Sequence, residues 1–114
     1  MKIHLIYAKA TPQEINEMLE ELGAYIKVAV DIERGLLAGG GELHADAEEV
    51  LLANDSQQKN IWGADWDPQT GAVKCEAMLN IRPRDGNYSM LIKDPQICGR
   101  VIEITQRLLG GRHG

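Results

Sequence analysis

The sequence has no phenylalanine, and its aromatic residues are two Trp and three Tyr among 114 positions. It has no apolar run of about 18 residues and no basic-then-apolar leader, so neither a membrane span nor a signal peptide is expected and a cytoplasmic chain is the default. Cysteine is scarce: Cys75 and Cys98 fall inside what read as regular elements and lack C-x-x-C spacing. They are expected to be reduced, buried thiols rather than a bridge or a zinc site. A basic stripe is absent too. Twelve Lys and Arg face 17 Asp and Glu, for a net charge of −5. Nucleic-acid binders draw most of their affinity from neutralised phosphates, so no nucleic-acid partner is expected. The deficit is uneven: residues 1–57 carry four basic against eleven acidic side chains, whereas residues 58–114 carry eight against six. Opposite halves are compatible with head-to-tail self-association.

What is present is a globular composition. Hydrophobic residues make up 44% of the chain, too many for a disordered one. A chain of this length buries roughly 65% of its unfolded surface, enough for a core without a disulfide, a structural metal or a cofactor. One domain over residues 1–114 is expected. Ile3, Leu5 and Tyr7 alternate with polar neighbours as a short first strand. Thr11-Pro12-Gln13-Glu14 supplies an N-cap, a Pro at the first helical position and a reciprocal Glu, so a helix is predicted over 12–22, with Gly23 ending it. Strict alternation over Ile26–Glu33 marks a half-buried strand, and Glu33-Arg34-Gly35 spaces it from Leu36-Leu37-Ala38 as an antiparallel hairpin. Gly39-Gly40-Gly41 implies a bulge or the close approach of another backbone or a ligand. A second helix is predicted over 47–53 with Asp46 as its cap.

In the second half, Ile61–Trp66 and Ala72–Ile81 flank the turn Asp67–Gly71. A four-residue loop there sets Trp66 opposite Val73, Ala64 opposite Cys75 and Trp62 opposite Ala77. That register puts both Trp in the core with Leu79 and Ile81, and turns Lys74, Glu76, Asn80 and Arg82 outward. Tyr88–Ile92 reads as an edge strand. Asp94-Pro95 opens a last helix whose buried stripe is Ile97, Val101, Ile104 and Leu108. Together these give an α+β fold: a two-layer sandwich with a mainly antiparallel sheet of four to six strands and three helices.

Two polar segments carry whatever chemistry the chain has. In extended conformation Glu42, His44 and Asp46 lie on one side, where two carboxylates and an imidazole could meet an ion or a substrate. One His without a second nearby is too little for a metal site, so none is expected, and the plainer account makes Asp46 a helix cap. Neither a phosphate-binding loop nor a serine nucleophile motif occurs, and no catalytic residue is assigned. The second segment holds Asn80, Arg82, Asn87 and Ser89. Arg82 brings a planar fork suited to carboxylate or phosphate, with neutral hydrogen-bonding groups around it; its plainer account is a pair with Glu42, Asp46 or Asp31. His4 and His113 carry no inference.

GGELHAD (residues 40–46), SQQKNIWGADWDPQTG (56–71) and Asn80-Ile81-Arg82-Pro83 followed by Gly86-Asn87 and Ser89 occur in that order, ahead of a terminal amphipathic helix. The set resembles a family of short prokaryotic proteins known as a domain of unknown function. That resemblance marks Ser56, Asn60, Trp62, Gly63 and Pro83 beside the seven polar residues, and implies no activity, cofactor or partner. From the residues themselves, the first expectation is a non-enzymatic binding module for a small polar or anionic ligand, held between the two segments at Glu42, His44, Asp46, Asn80, Arg82, Asn87 and Ser89. The alternatives are a protein that pairs with itself or with a product of a neighbouring gene, through an outer sheet face at Lys74, Glu76 and Met78, and a metal-assisted or His-based hydrolase with His44 as general base and Glu42 or Asp46 holding it or a metal.

Overall fold

Five strands, β1 (His4–Ile6), β2 (Ile26–Asp31), β3 (Leu36–Gly39), β4 (Ile61–Trp66) and β5 (Val73–Lys74), form an antiparallel sheet in the order β1-β3-β2-β4-β5. Helices α1 (Pro12–Met18), α2 (His44–Ala53) and α3 (Pro95–Leu109) complete the expected α+β fold. The structure, a computed structural model, describes residues 2–111, and His113 lies outside them. Among the described residues no helix is long and apolar enough to cross a membrane.

Alternation along β2 sorts the core into two clusters. Val28 and Val30, opposite Ala64 and Trp62, join Met18 of α1 and Val101, Ile104 and Leu108 of α3 on one face. Ala29, opposite Ala38 and Gly63, turns to the other face, where Ala47 and Leu51 of α2 close over Leu36 and Ile61. The second face of the sheet is therefore covered as well, by α2 on β2, β3 and β4, so the α+β fold has three layers where two were expected. Small residues allow that cover to sit close.

Element ends follow local hydrogen bonding. Thr11 Oγ1 accepts the Glu14 N–H at 3.1 Å while Glu14 Oε1 accepts the Thr11 N–H at 2.9 Å, the reciprocal cap read from the sequence. Helix α1 nevertheless stops at Met18, short of Leu22. The Glu20 N–H bonds back three residues to the Glu17 carbonyl at 3.2 Å, and that tightened turn breaks the α ladder. At α3, Asp94 accepts from the Gln96 N–H at 2.8 Å with Pro95 next, and of the expected stripe Val101, Ile104 and Leu108 are buried while Ile97 is half-buried. The triple glycine meets the chain's own backbone: Gly40 has φ +111°, and a Cβ there would collide with the Lys2 carbonyl.

Other expectations are corrected. Helix α2 begins at His44, because the Asp46 N–H already bonds the Leu43 carbonyl at 3.1 Å. Asp46 sits in the first turn instead of capping it, so Glu42, His44 and Asp46 do not share one side of an extended chain. Trp66 does face Val73, but β5 ends at Lys74. Beyond it Glu76 meets Leu91 in a lone bridge and the chain coils into a 3-10 turn, Met78–Asn80. Asn80 is fully buried, Ile81 is 43% exposed, and Tyr88–Ile92 is no strand. Cys75 and Cys98 are joined in a disulfide with Cα atoms 6.0 Å apart, tying the segment after β5 to the first turn of α3. Folding, not spacing, brings those two positions together.

Candidate functional site

Because β5 is only two residues long, the outer edge of β4 has no strand opposite Gly63. The Asn80 side chain takes that place. Its Oδ1 accepts the Gly63 N–H at 2.7 Å, and its Nδ2 donates to the Gly63 carbonyl at 2.9 Å and the Met90 carbonyl at 3.0 Å. The carboxamide thus imitates the peptide group of a neighbouring strand. Gly63 permits the approach: a Cβ there would stand 2.5 Å from Ala77 Cβ and 3.1 Å from Leu79 Cγ. Asn87 organises the following loop. It donates to the Asn80, Ser89 and Leu91 carbonyls at 2.7, 2.9 and 2.9 Å, and accepts the Lys93 N–H at 2.9 Å. Ser89 Oγ donates to the Leu91 carbonyl at 3.1 Å. The polar groups of Asn80, Asn87 and Ser89 are spent inward, on the loop that carries Arg82.

Arg82 is clamped rather than ion-paired. Its guanidinium lies 4.1 Å over the Trp62 ring, Nη1 donates to the Lys59 carbonyl at 3.2 Å, and Nε donates to the Leu79 carbonyl at 3.4 Å. Nη2 is buried with no hydrogen-bond partner among the described residues. Burial lowers the Arg82 pKa, against which the charges of Asp85 and Glu48 act. Two open grooves meet here. One, of about 680 Å³, sets Lys59, Arg82 and Arg84 against Glu48 and Asp85; the other, of about 610 Å³, runs over Trp62 between Lys59 and Lys93, with Asp85 and Asp94. The first keeps one positive charge in excess.

The other polar segment goes elsewhere. His44 Nε2 donates to Asp65 Oδ1 at 2.9 Å and to the Ala64 carbonyl at 3.0 Å; both partners are acceptors, so the proton belongs on Nε2. Asp65, not Glu42 or Asp46, therefore holds His44. Glu42 is exposed and offers its backbone carbonyl to Lys27 Nζ at 2.7 Å. None of Glu42, His44 and Asp46 lines the Arg82 grooves, and α2 contributes Glu48 there instead. Nor does Arg82 pair with Asp31, which is fully buried on the α2 face. Asp31 accepts from Ser56 Oγ at 2.6 Å and from the Glu33 and Arg34 N–H groups at 3.0 Å each. Among the described residues no three His, Cys, Asp or Glu gather as a metal site.

Residues 4–108 match the model of a family described as protein of unknown function DUF5674. The chain belongs to that family. No curated protein and no solved structure matches it. The match runs from β1 to the last turn of α3, so the Arg82 grooves, the Asn80–Gly63 clasp and the His44–Asp65 pair all lie within the DUF5674 domain. Lys59, Glu48 and Trp62 as partners of Arg82 were not legible beforehand, since they come from other elements. A second basic group, Arg100 and Arg107, also escaped notice, although spacing by seven along a helix places two residues on one face.

Proposed function

We propose that this DUF5674 domain is a binding module for a small polar or anionic ligand, such as a carboxylate, and not an enzyme. The ligand lies in the groove shared by Arg82, Lys59 and Arg84. The observation that carries this reading is the clamped guanidinium of Arg82 with one nitrogen, Nη2, left without a protein acceptor. An arginine held by an aromatic face and two carbonyls is a fixed positive charge, and with Lys59 and Arg84 beside it the groove favours an anion. Asn80, Asn87 and Ser89 serve by shaping the loop, while Glu42, His44 and Asp46 stand outside the groove. A second reading has its own support. Of Lys74, Glu76 and Met78 only Lys74 belongs to a strand, but Met78, Tyr88 and Leu91 are exposed at 74%, 72% and 49%, apolar side chains that favour a second copy of the chain. The hydrolytic alternative rests on the His44–Asp65 pair alone, with no hydroxyl or thiol bonded to His44 among the described residues.

Amide NMR titration with malonate and succinate tests the first reading. The Gly63 amide and the Asn80 and Asn87 side-chain amides are expected to shift saturably, and to lose that response in Lys59→Ala/Arg84→Ala. Both substitutions leave the Lys59 carbonyl that Arg82 needs. Absence of saturable shifts, or shifts unchanged in the variant, overturns the proposal. Dilution without ligand reads the second copy, through shifts confined to residues 78–91.

A further inference from the structure

We propose a second anion site, separate from the Arg82 groove, at the tip of the β2–β3 hairpin, with a phosphomonoester as its ligand. Arg100 and Arg107 stand two turns apart on α3 and so on one face of it. Both reach over the hairpin. Arg107 Nη2 donates to the Gly35 carbonyl at 2.9 Å, and Arg100 Nε donates to the Ile32 carbonyl at 3.3 Å. The two forks converge: a Cβ on Gly35 would stand 3.2 Å from Arg107 Nη2 and 3.7 Å from Arg100 Nη2. Arg34, on the hairpin itself, forms a further wall, fixed by bonds from its Nη1 to the Asn54 carbonyl at 2.7 Å and to Ser56 Oγ at 3.2 Å. With Tyr7 these residues line a shallow cavity of about 430 Å³.

Charge makes the arrangement specific. The cavity holds three arginines and one carboxylate, Glu103, which pairs with Arg100. Two positive charges are left over among these lining side chains, one of them on Arg34, which also lies beside Ser56, whose hydroxyl bonds the buried Asp31 carboxylate. Hydrogen bonds to the hairpin carbonyls, not core packing, hold the convergence, because the buried stripe of α3 is Val101, Ile104 and Leu108 and both arginines are exposed residues. Like charges brought to one point repel, and a dianion there converts that repulsion into attraction. A monocarboxylate neutralises only one of the two charges; a phosphomonoester neutralises both and offers enough oxygens for two forks already held by backbone carbonyls. The rest of the ligand lies beside Tyr7, which lines the cavity and is 70% exposed.

Calorimetric titration of the full chain with phenyl phosphate, at constant ionic strength, tests this. Saturable one-to-one binding is expected, weakening as pH falls through the second phosphate pKa near 6, where the dianion is lost. Arg100→Gln/Arg107→Gln should weaken it about tenfold or more. Arg107→Lys keeps the charge and the fold but lacks the fork, and should also weaken it. Lys59→Ala/Arg84→Ala should bind phenyl phosphate as the unsubstituted protein does, which separates this site from the carboxylate groove. No saturable binding, unchanged binding in a folded Arg100→Gln/Arg107→Gln protein, or loss of binding in Lys59→Ala/Arg84→Ala instead would each overturn the proposal.

Discussion

The Asn80 side chain occupies the place of a strand, and its worth can be separated from mere burial. Asn80→Ala removes three hydrogen bonds and leaves the Gly63 N–H and carbonyl buried without their partner. Unsatisfied buried groups cost about 1–3 kcal/mol each, so a loss of roughly 3 kcal/mol is expected in urea unfolding. Asn80→Asp should cost more, because an oxygen would replace the Nδ2 that donates to the Gly63 and Met90 carbonyls, and a charge would be buried with it. If Asn80→Asp proves no worse than Asn80→Ala, the carboxamide is not oriented as described. Arg82 calls for the same distinction between structure and binding. Its stacking on Trp62 and its bonds to the Lys59 and Leu79 carbonyls mean that Arg82→Ala would disturb the loop as well as any ligand, so Lys59 and Arg84 are the cleaner probes.

Elements whose information is local were legible, and those set by distant neighbours were not. The start of α1 is written in Thr11, Pro12 and Glu14, and α3 in Asp94-Pro95 and the stripe from Val101 to Leu108. The β2–β3 hairpin follows from alternation and a short turn. Alternation also extended β5 to Ile81, since apolar spacing says nothing of a buried asparagine that prefers a peptide edge to solvent. Arg82 was recognised by its chemistry, but Trp62, Lys59 and Glu48 reach it from β4, the turn before β4, and α2. The Cys75–Cys98 bond is non-local in the same way. It closes a loop across 23 residues that contains Arg82 and Asn87. Removing it by reductant, or by Cys75→Ser/Cys98→Ser, should cost about 3 kcal/mol through the freed unfolded chain. Thermal unfolding with and without dithiothreitol measures this: the unsubstituted protein should fall to the midpoint of the double variant, itself unmoved by reductant. A midpoint indifferent to reductant means the two thiols are not bonded.

Two cores on opposite faces of one sheet raise the question of whether they fold together. Strand β2 belongs to both: Val28 and Val30 pack under α1 and α3, and Ala29 packs under α2. Neither cluster can lose its wall without exposing the other's, so the chain should unfold in a single transition. Trp62 and Trp66 both lie in the α1–α3 cluster, so tryptophan fluorescence reports that face alone, whereas far-UV circular dichroism reports every helix. Leu51, fully buried on the α2 face, is the place to perturb. Leu51→Ala should cost about 2–5 kcal/mol by opening a cavity there. If the faces are coupled through β2, that substitution lowers the fluorescence midpoint as far as the dichroism midpoint, although Leu51 belongs to the cluster that holds neither Trp. Ile104→Ala, on the opposite face, should likewise move both signals together. A fluorescence midpoint left in place by Leu51→Ala while the dichroism signal falls early would mean that α2 detaches by itself, taking Glu48 away from the Arg82 groove and leaving the hairpin site of Arg100 and Arg107 intact.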